Sequence, residues 1–299
     1  MKVSIVFEGK RAPFGPDHKG LIQGAEELGL DYQVIDPTMG IKPHVLAAEV
    51  RDFKPDLVLH HMTSSLNQGL PELIGKDIKQ IYWMLDYHEN YRDEWEMWIR
   101  QKGYLDHIFL SNYKQLDMWK EAFECPSTYL PHGCYVSESE KDPSQKYNCV
   151  FIGGKMYFEP YEKRARLLDN IEKLCPFTTL NANDVEGRNE IWKNMPRIYH
   201  SSDTVLDVSH YWDVPGYASG RYFYSAGHGA CSITKRFPRC EELYPEGTKI
   251  YFDTPEEASN KIKYYILHEK EREEIKKRAY EHNKEFHNYK KRWEKILSV

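Results

Sequence analysis

Short apolar runs alternate along the chain with longer stretches whose apolar residues recur at helical spacing. The runs are "VSIVFE" (3–8), "DYQVID" (31–36), "DLVLHH" (56–61), "QIYWMLD" (80–86), "HIFLSN" (107–112) and "STYLPHG" (127–133). Such runs mark strands covered on both faces, and the stretches between them provide the covering helices. Residues 18–29, "HKGLIQGAEELG", place Leu21, Ala25 and Leu28 on one face and stop at a glycine able to adopt the left-handed conformation. Residues 113–124 carry Leu116, Trp119 and Phe123 at similar spacing. The pattern predicts an α/β architecture built on a parallel sheet.

Between 134 and 147 the chain reads "CYVSESEKDPSQKY", which is polar, contains proline and has no period. This predicts a linker, with one domain over 1–134 and a second over 147–299. The alternation then resumes. "YNCVFIGG" (147–154) reads as a strand entering a glycine turn, a basic helix follows to about 174, and further strands are expected at 177–181, "DTVLDVS" (203–209) and "ACSIT" (230–234). After 255 three helical stretches close the chain; the second, "EKEREEIKKRAYEHNKEF", has the mixed i,i+4 charge of a solvated face. Two successive βα units predict a pair of Rossmann-like domains facing a central cleft, with ligands bound beyond the C-terminal ends of the strands.

Composition adds limits. A net charge of −5 with 29% charged residues over 299 positions fits a soluble globular protein and argues against a broad electrostatic grip on nucleic acid. The six cysteines form no CxxC pair, so buried, reduced thiols are expected rather than a zinc ribbon or a redox dithiol. The N-terminus soon turns polar and no apolar run approaches the roughly 20 residues of a membrane span, so the expectation is a cytoplasmic protein without stable membrane insertion.

The candidate chemistry starts at "VPGYASGRYFYSAGHGACSIT", residues 214–234. A glycine-rich loop entering a helix offers unpaired N–H groups and a positive dipole end to an anion. Gly216 and Gly220 allow close approach, Ser219 is placed to cap the helix, and Arg221 can clamp phosphate through its planar fork. Gly153, Gly154 and Lys155 stand at the end of an earlier strand of the same domain, so two strand ends converge on one anion. Of the aromatic residues around the loop, Tyr217 is the first candidate to stack on a base or sugar, with core packing as the alternative. Arg164 and Arg166 lie on the following helix, where a surface salt bridge competes with ligand contact.

From "YNCVFIGG" through "VPGYASGRYFYSAGHGACSIT" to the C-terminal helices, roughly 147–297, the sequence resembles GT-B glycosyltransferases of the CgeB-like, spore-maturation group. The first half is similar more loosely, through "KPDLVLHH", "YWMLDYHE", "FLSN" and "YLPHG". The resemblance implies a second domain that binds a nucleotide-diphosphate sugar and a first that holds the acceptor. It also implies no metal, because such enzymes neutralise the leaving diphosphate with helix dipoles and basic side chains. The group's small-x-Arg-x-Phe-Glu pattern falls on Ser219, Arg221, Phe223 and Tyr224, so a tyrosine stands where the donor-binding glutamate is expected.

For the acid–base group, three residues sit at strand ends in the first half. Asp17 and His18 lie in "GPDHKG", and Asp86 in "WMLDYHEN". A histidine oriented by a carboxylate can remove a hydroxyl proton near neutral pH. The alternative is helix capping for the aspartates and a surface place for His18. His132, in "YLPHGC", is a further phosphate contact or a turn residue. The expected activity is sugar transfer, hexosyl or pentosyl, from a nucleotide-diphosphate sugar as co-substrate to a hydroxyl of a glycan, protein, small molecule or modified DNA base. A non-catalytic nucleotide-sugar binding protein and a sugar-nucleotide epimerase remain as alternatives.

Overall fold

The computed structural model describes residues 1–7, 15–137 and 146–299. Strand β1 (Lys2–Val6) is followed by helix α1 (Pro16–Glu27), β2 (Asp31–Ile35), α2 (Pro43–Phe53), β3 (Leu57–His61), α3 (Ser64–Asn67), α4 (Leu70–Ile74), β4 (Lys79–Met84), α5 (Trp95–Ile99), β5 (His107–Leu110), α6 (Leu116–Phe123) and β6 (Ser127–Tyr129). The second series runs β7 (Tyr147–Ile152), α7 (Glu162–Leu174), β8 (Thr178–Leu180), α8 (Val185–His200), β9 (Ser202–Asp207), α9 (Gly220–Gly227), β10 (Ser232–Lys235) and β11 (Ile250–Phe252), then α10 (Pro255–Leu267), α11 (Glu269–Phe286) and α12 (Tyr289–Leu297). The expected strands all form, shortened by a residue or more at their C-terminal ends except β3, which ends at His61 as expected, and β10, which runs one residue further. Residue 8 of the first expected run and 138–145 of the expected linker lie outside the described residues.

The strands make two sheets, ordered β2-β1-β3-β4-β5-β6 and β11-β10-β9-β7-β8, and every pair is parallel. In each, the chain starts inside the sheet, moves one strand outward, and returns to build the other side. The order therefore reverses between β1 and β3, and again between β7 and β9. Ligands bind at such switch points, because the loops after the two central strands diverge and leave a crevice.

The described residues divide into two compact units. One holds β1, Leu21–Pro131 and Lys290–Val299; the other holds the start of α1 to Gly20 and His132–Tyr289. Each has its own core. In the first, Trp119 stacks on Tyr82 (centroids 5.6 Å) and Phe123 (5.2 Å) and meets Trp95 edge-on (4.9 Å). The last helix belongs here too, since Trp293 Nε1 donates to Leu21 O at 2.8 Å. In the second, Cys149, Phe151, Leu206, Val208 and Ile233 of the sheet pack with Leu168 and Ile171 of α7 and Ile262 of α10. All six cysteines are buried free thiols. No described helix is long and apolar enough to cross a membrane.

Each core also buries a neutral histidine. Burial pulls His60 down to about 4, although its 2.9 Å bond to Gln80 opposes this. Burial and then Lys19 pull His228 down to about 3. An unfolded histidine takes up a proton near pH 6.5, whereas these do not until well below it, so stability is present above 6.5 and falls on acidification toward 4. For His60 alone the loss is on the order of 3 kcal/mol. Urea unfolding followed at pH 7 and pH 4.5 checks this, with a smaller difference expected for His60→Gln.

Candidate functional site

At the β7/β9 switch point the two central strands end in carbonyl groups with no strand partner beyond them. Arg221, in the first turn of α9, fills that position: Nε donates to Ile152 O at 2.7 Å, and Nη1 to Val208 O at 3.3 Å and Ser219 Oγ at 3.2 Å. The guanidinium also lies 4.9 Å from the centroid of the Phe151 ring. Ser219 occupies the cap position of α9, but its hydroxyl makes no capping bond to the helix. Ser209 holds this residue instead, accepting from Ser219 N at 3.0 Å and donating to its Oγ at 3.2 Å. The first N–H groups of α9 are thereby left without a side-chain cap at the end where the helix dipole is positive.

Two glycines follow from this packing. Gly153 has φ 150°, and a Cβ there would stand 2.7 Å from Arg221 Nη2. A Cβ on Gly220 would overlap the Tyr224 phenol. Beside them a cavity of about 330 Å³ opens within the second unit. Gly153, Ser219, Gly220, Arg221 and Tyr224 line one part; Leu180, Asn181, Ala182, Arg188, Ile191, Trp192, Met195 and Tyr199 line another, and Asp17 and His132 border it.

Asp17, in the first turn of α1, reaches the cavity through hydrogen bonds. Its Oδ1 accepts from Tyr224 Oη at 2.7 Å and from Tyr289 Oη, with His132 Nδ1 at 3.6 Å. Burial and then the Asp17 charge raise the Tyr224 phenol well above its ordinary value, so it stays protonated as a donor. Tyr224 stands where the resemblance places a glutamate, and its hydroxyl brings the Asp17 carboxylate beside the same helix.

Other expected residues are placed elsewhere. Lys155 does not line the cavity: Nζ contacts Asp169 at 3.1 Å and also Glu172, two carboxylates on adjacent turns of α7, and their pull outweighs burial to raise its pKa. Gly154 sits behind the lining, its carbonyl accepting from Arg164 Nη2 at 2.7 Å. Gly216 makes a turn (φ 75°) and donates from N to Pro238 O at 3.0 Å. Tyr217 is buried edge-on against Tyr211, which is the packing alternative. His18 does not line the cavity. Asp86 belongs to the first unit, where it accepts from Tyr91 Oη at 2.7 Å.

The sequence reading missed the α8 side. Arg188, Ile191, Trp192, Met195 and Tyr199 recur at helical spacing, yet Gly187 and Pro196 interrupt the segment and disguise it. Beneath α9, Lys249 lies 4.0 Å from Asp207, donates at 3.3 Å to Ser225 and Ser232, and sits 4.3 Å from the Tyr222 ring centroid. Burial lowers Lys249 to about 8 against the opposing pull of Asp207. Among the described residues no group of three or more histidine, cysteine, aspartate or glutamate side chains is placed to hold a metal ion.

Residues 161–298 match the family described as "Glycosyl transferase-like". Solved structures extend the likeness to the whole chain. HepE of Anabaena, in complex with UDP-glucose, aligns with TM-score 0.65 at 12% identity, over 100% of this chain and 99% of that one. An alpha-glucosyltransferase in complex with UDP aligns with TM-score 0.68 at 10% identity, over 100% and 99%. The T4 phage BGT with its UDP-glucose substrate gives 0.59 at 12%, over 100% and 98%. The fold is GT-B. No curated protein sequence matches the chain.

Within this GT-B chain, Gly153→Ala combines an unfavourable backbone region with displacement of Arg221. It should destabilise the protein by about 1–3 kcal/mol. Gly29→Ala (φ 64°, nothing within 4 Å) carries the backbone term alone and should cost about 1 kcal/mol or less. Chemical denaturation of the two variants compares them.

Proposed function

We propose that the protein is a glycosyltransferase that moves a sugar from a UDP-sugar to a hydroxyl acceptor, and that it is of the CgeB-like group. The observation that carries this reading is Arg221, held between the ends of β7 and β9 beside the uncapped N-terminus of α9, at the edge of a cavity that Asp17 also borders. The diphosphate lies against Gly153, Ser219, Gly220 and Arg221, with the Gly153–Gly154 turn allowing close approach. The nucleoside extends toward Asn181, Arg188 and Trp192.

Asp17 takes the proton of the acceptor hydroxyl as its oxygen attacks the anomeric carbon. The bond from that carbon to the diphosphate breaks, and the departing charge falls on the Arg221 fork and the helix N–H groups. Preorganised donors of this kind are often the largest contribution to catalysis. Tyr224 and Tyr289 orient the carboxylate. Of the other acid–base candidates, His18 does not line the cavity and Asp86 belongs to the first unit. Because cationic groups neutralise the leaving diphosphate, we propose that transfer needs no metal. The acceptor is a glycan, protein, small molecule or modified DNA base. The last gains interest from the alpha-glucosyltransferase solved with UDP and a 13-mer DNA, which has TM-score 0.66 at 10% identity.

Arg221→Ala should abolish UDP release from UDP-glucose in the presence of acceptor, while the circular dichroism spectrum is kept and stability falls by about 1–3 kcal/mol through the lost carbonyl contacts. Asp17→Asn should retain UDP binding by calorimetry and lose about a hundredfold or more in turnover. Full activity of either variant contradicts its assigned role. Turnover in excess EDTA should equal that in buffer, and loss of activity restored by Mg²⁺ or Mn²⁺ would refute metal independence.

A further inference from the structure

Three basic residues stand close together at the start of α7, and two of them face outward: Lys163 pairs with Asp213 at 3.1 Å, and Arg166 with Glu162. Arg164 turns inward and is 2% exposed. Its Nη2 donates to Gly154 O at 2.7 Å, and its guanidinium lies 5.7 Å from the centroid of the same Phe151 ring that Arg221 approaches at 4.9 Å. Nε and Nη1 of Arg164 are buried without a hydrogen-bond partner among the described residues. No described carboxylate lies within ion-pairing distance of either guanidinium; Asp207, the buried acid that feels Arg221, is set against Lys249.

A buried guanidinium, Arg164, and a half-buried one, Arg221, around one ring without an ion-paired carboxylate among the described residues are costly, since a guanidinium removed from water needs compensating charge. Burial and the Arg221 charge bring Arg164 down to about 9. Burial and the same two guanidiniums hold His210 neutral, at about 2. Positive charge is thus concentrated behind the Gly153–Gly154 turn, and Asp17 is the carboxylate that borders the same cavity.

We infer that Arg164 is a positioning residue of the donor site: it fixes the Gly153–Gly154 turn through the Gly154 carbonyl and adds a second positive charge behind it, so that the site selects a nucleoside diphosphate over the monophosphate. This rests on the donor site proposed above. Arg164 does not line the cavity, so it acts through the turn and through its field, which is weakly screened in a buried site.

Calorimetric titration with UDP, UMP and uridine of the wild-type protein, Arg164→Lys and Arg164→Met tests it. For Arg164→Met, UDP affinity should fall about tenfold or more, uridine affinity should be unchanged, and the ratio of UDP to UMP affinity should shrink toward unity. Arg164→Lys should lie between, since it keeps the charge and loses the fork. Equal weakening of UDP and uridine would reduce Arg164 to a structural residue, and unchanged UDP binding would remove it from the site; either overturns the inference while the donor site stands. Thermal melts establish that each variant is folded, and if the methionine variant does not fold the lysine variant reads the same ratio. A wild-type protein that binds none of UDP, GDP, ADP and TDP overturns both the donor site and this inference.

Discussion

A parallel sheet presents all its strand C-termini along one edge, and at the switch point the central carbonyls of that edge have no neighbour to satisfy them. Arg221 meets this need in the second unit. One planar group closes Ile152 O and Val208 O together, so β7, β9 and α9 are locked at one point. Much of the local sequence follows from that choice. Residue 153 must lack a side chain because the guanidinium occupies its place, and residue 220 must lack one because Tyr224 crosses it. Ser209 and Ser219 complete the frame by bonding to each other, and the Ser219 hydroxyl accepts from the arginine rather than from the helix.

The arrangement concentrates charge in the interior, and the charges are managed unequally. On the far side of α9, Lys249 and Asp207 are buried as a pair, with serine hydroxyls and two tyrosine rings around the ammonium. Such a pair holds a helix in a defined position better than it adds stability, because desolvating both ions offsets most of their attraction. On the sheet-end side, no described carboxylate pairs with Arg164 or Arg221, and Asp17 borders the cavity that Arg221 lines. The two groups thus differ: the ammonium under α9 is met by a carboxylate and hydroxyls, whereas the guanidiniums at the sheet end bond to main-chain carbonyls.

The strands were legible in the sequence because a parallel strand covered on both faces is written as a mostly apolar run, as in residues 81–84 of β4 and 108–110 of β5. β11 was not, since Ile250–Phe252 is three residues long and sits between turns. Gly153, Gly220 and Arg221, which meet at the end of β7, were legible from strand-to-helix punctuation alone. Lys155 was misplaced for a different reason: a glycine-lysine pair at a strand end looks the same whether the ammonium turns to a ligand or to its own helix, and only the spacing of Asp169 and Glu172 on α7 decides. For Arg164 the sequence left a surface salt bridge and ligand contact open. In "EKRARLL" it resembles the surface charges beside it, and its burial depends on the helix rotation that sends Leu168 and Ile171 into the core.

Tyr224 joins these threads. As a departure from the glutamate of the resembling group, it removes a carboxylate from α9, yet its hydroxyl donates to Asp17, so a carboxylate still stands over the same helix turn. A phenol is longer than a glutamate side chain is flexible, and it fixes its partner rather than following a ligand. Its reach requires glycine at 220, and Tyr289, which also donates to Asp17, requires glycine at 20, where a Cβ would enter its ring. The tyrosine at 224 is thus one member of a set that includes Gly20, Gly220, Tyr289 and Asp17, and a single reversion to glutamate would place two carboxylates against each other. That mutual dependence explains why a motif read one residue at a time shows only a missing carboxylate, while the packed chain shows which side chains the tyrosine serves.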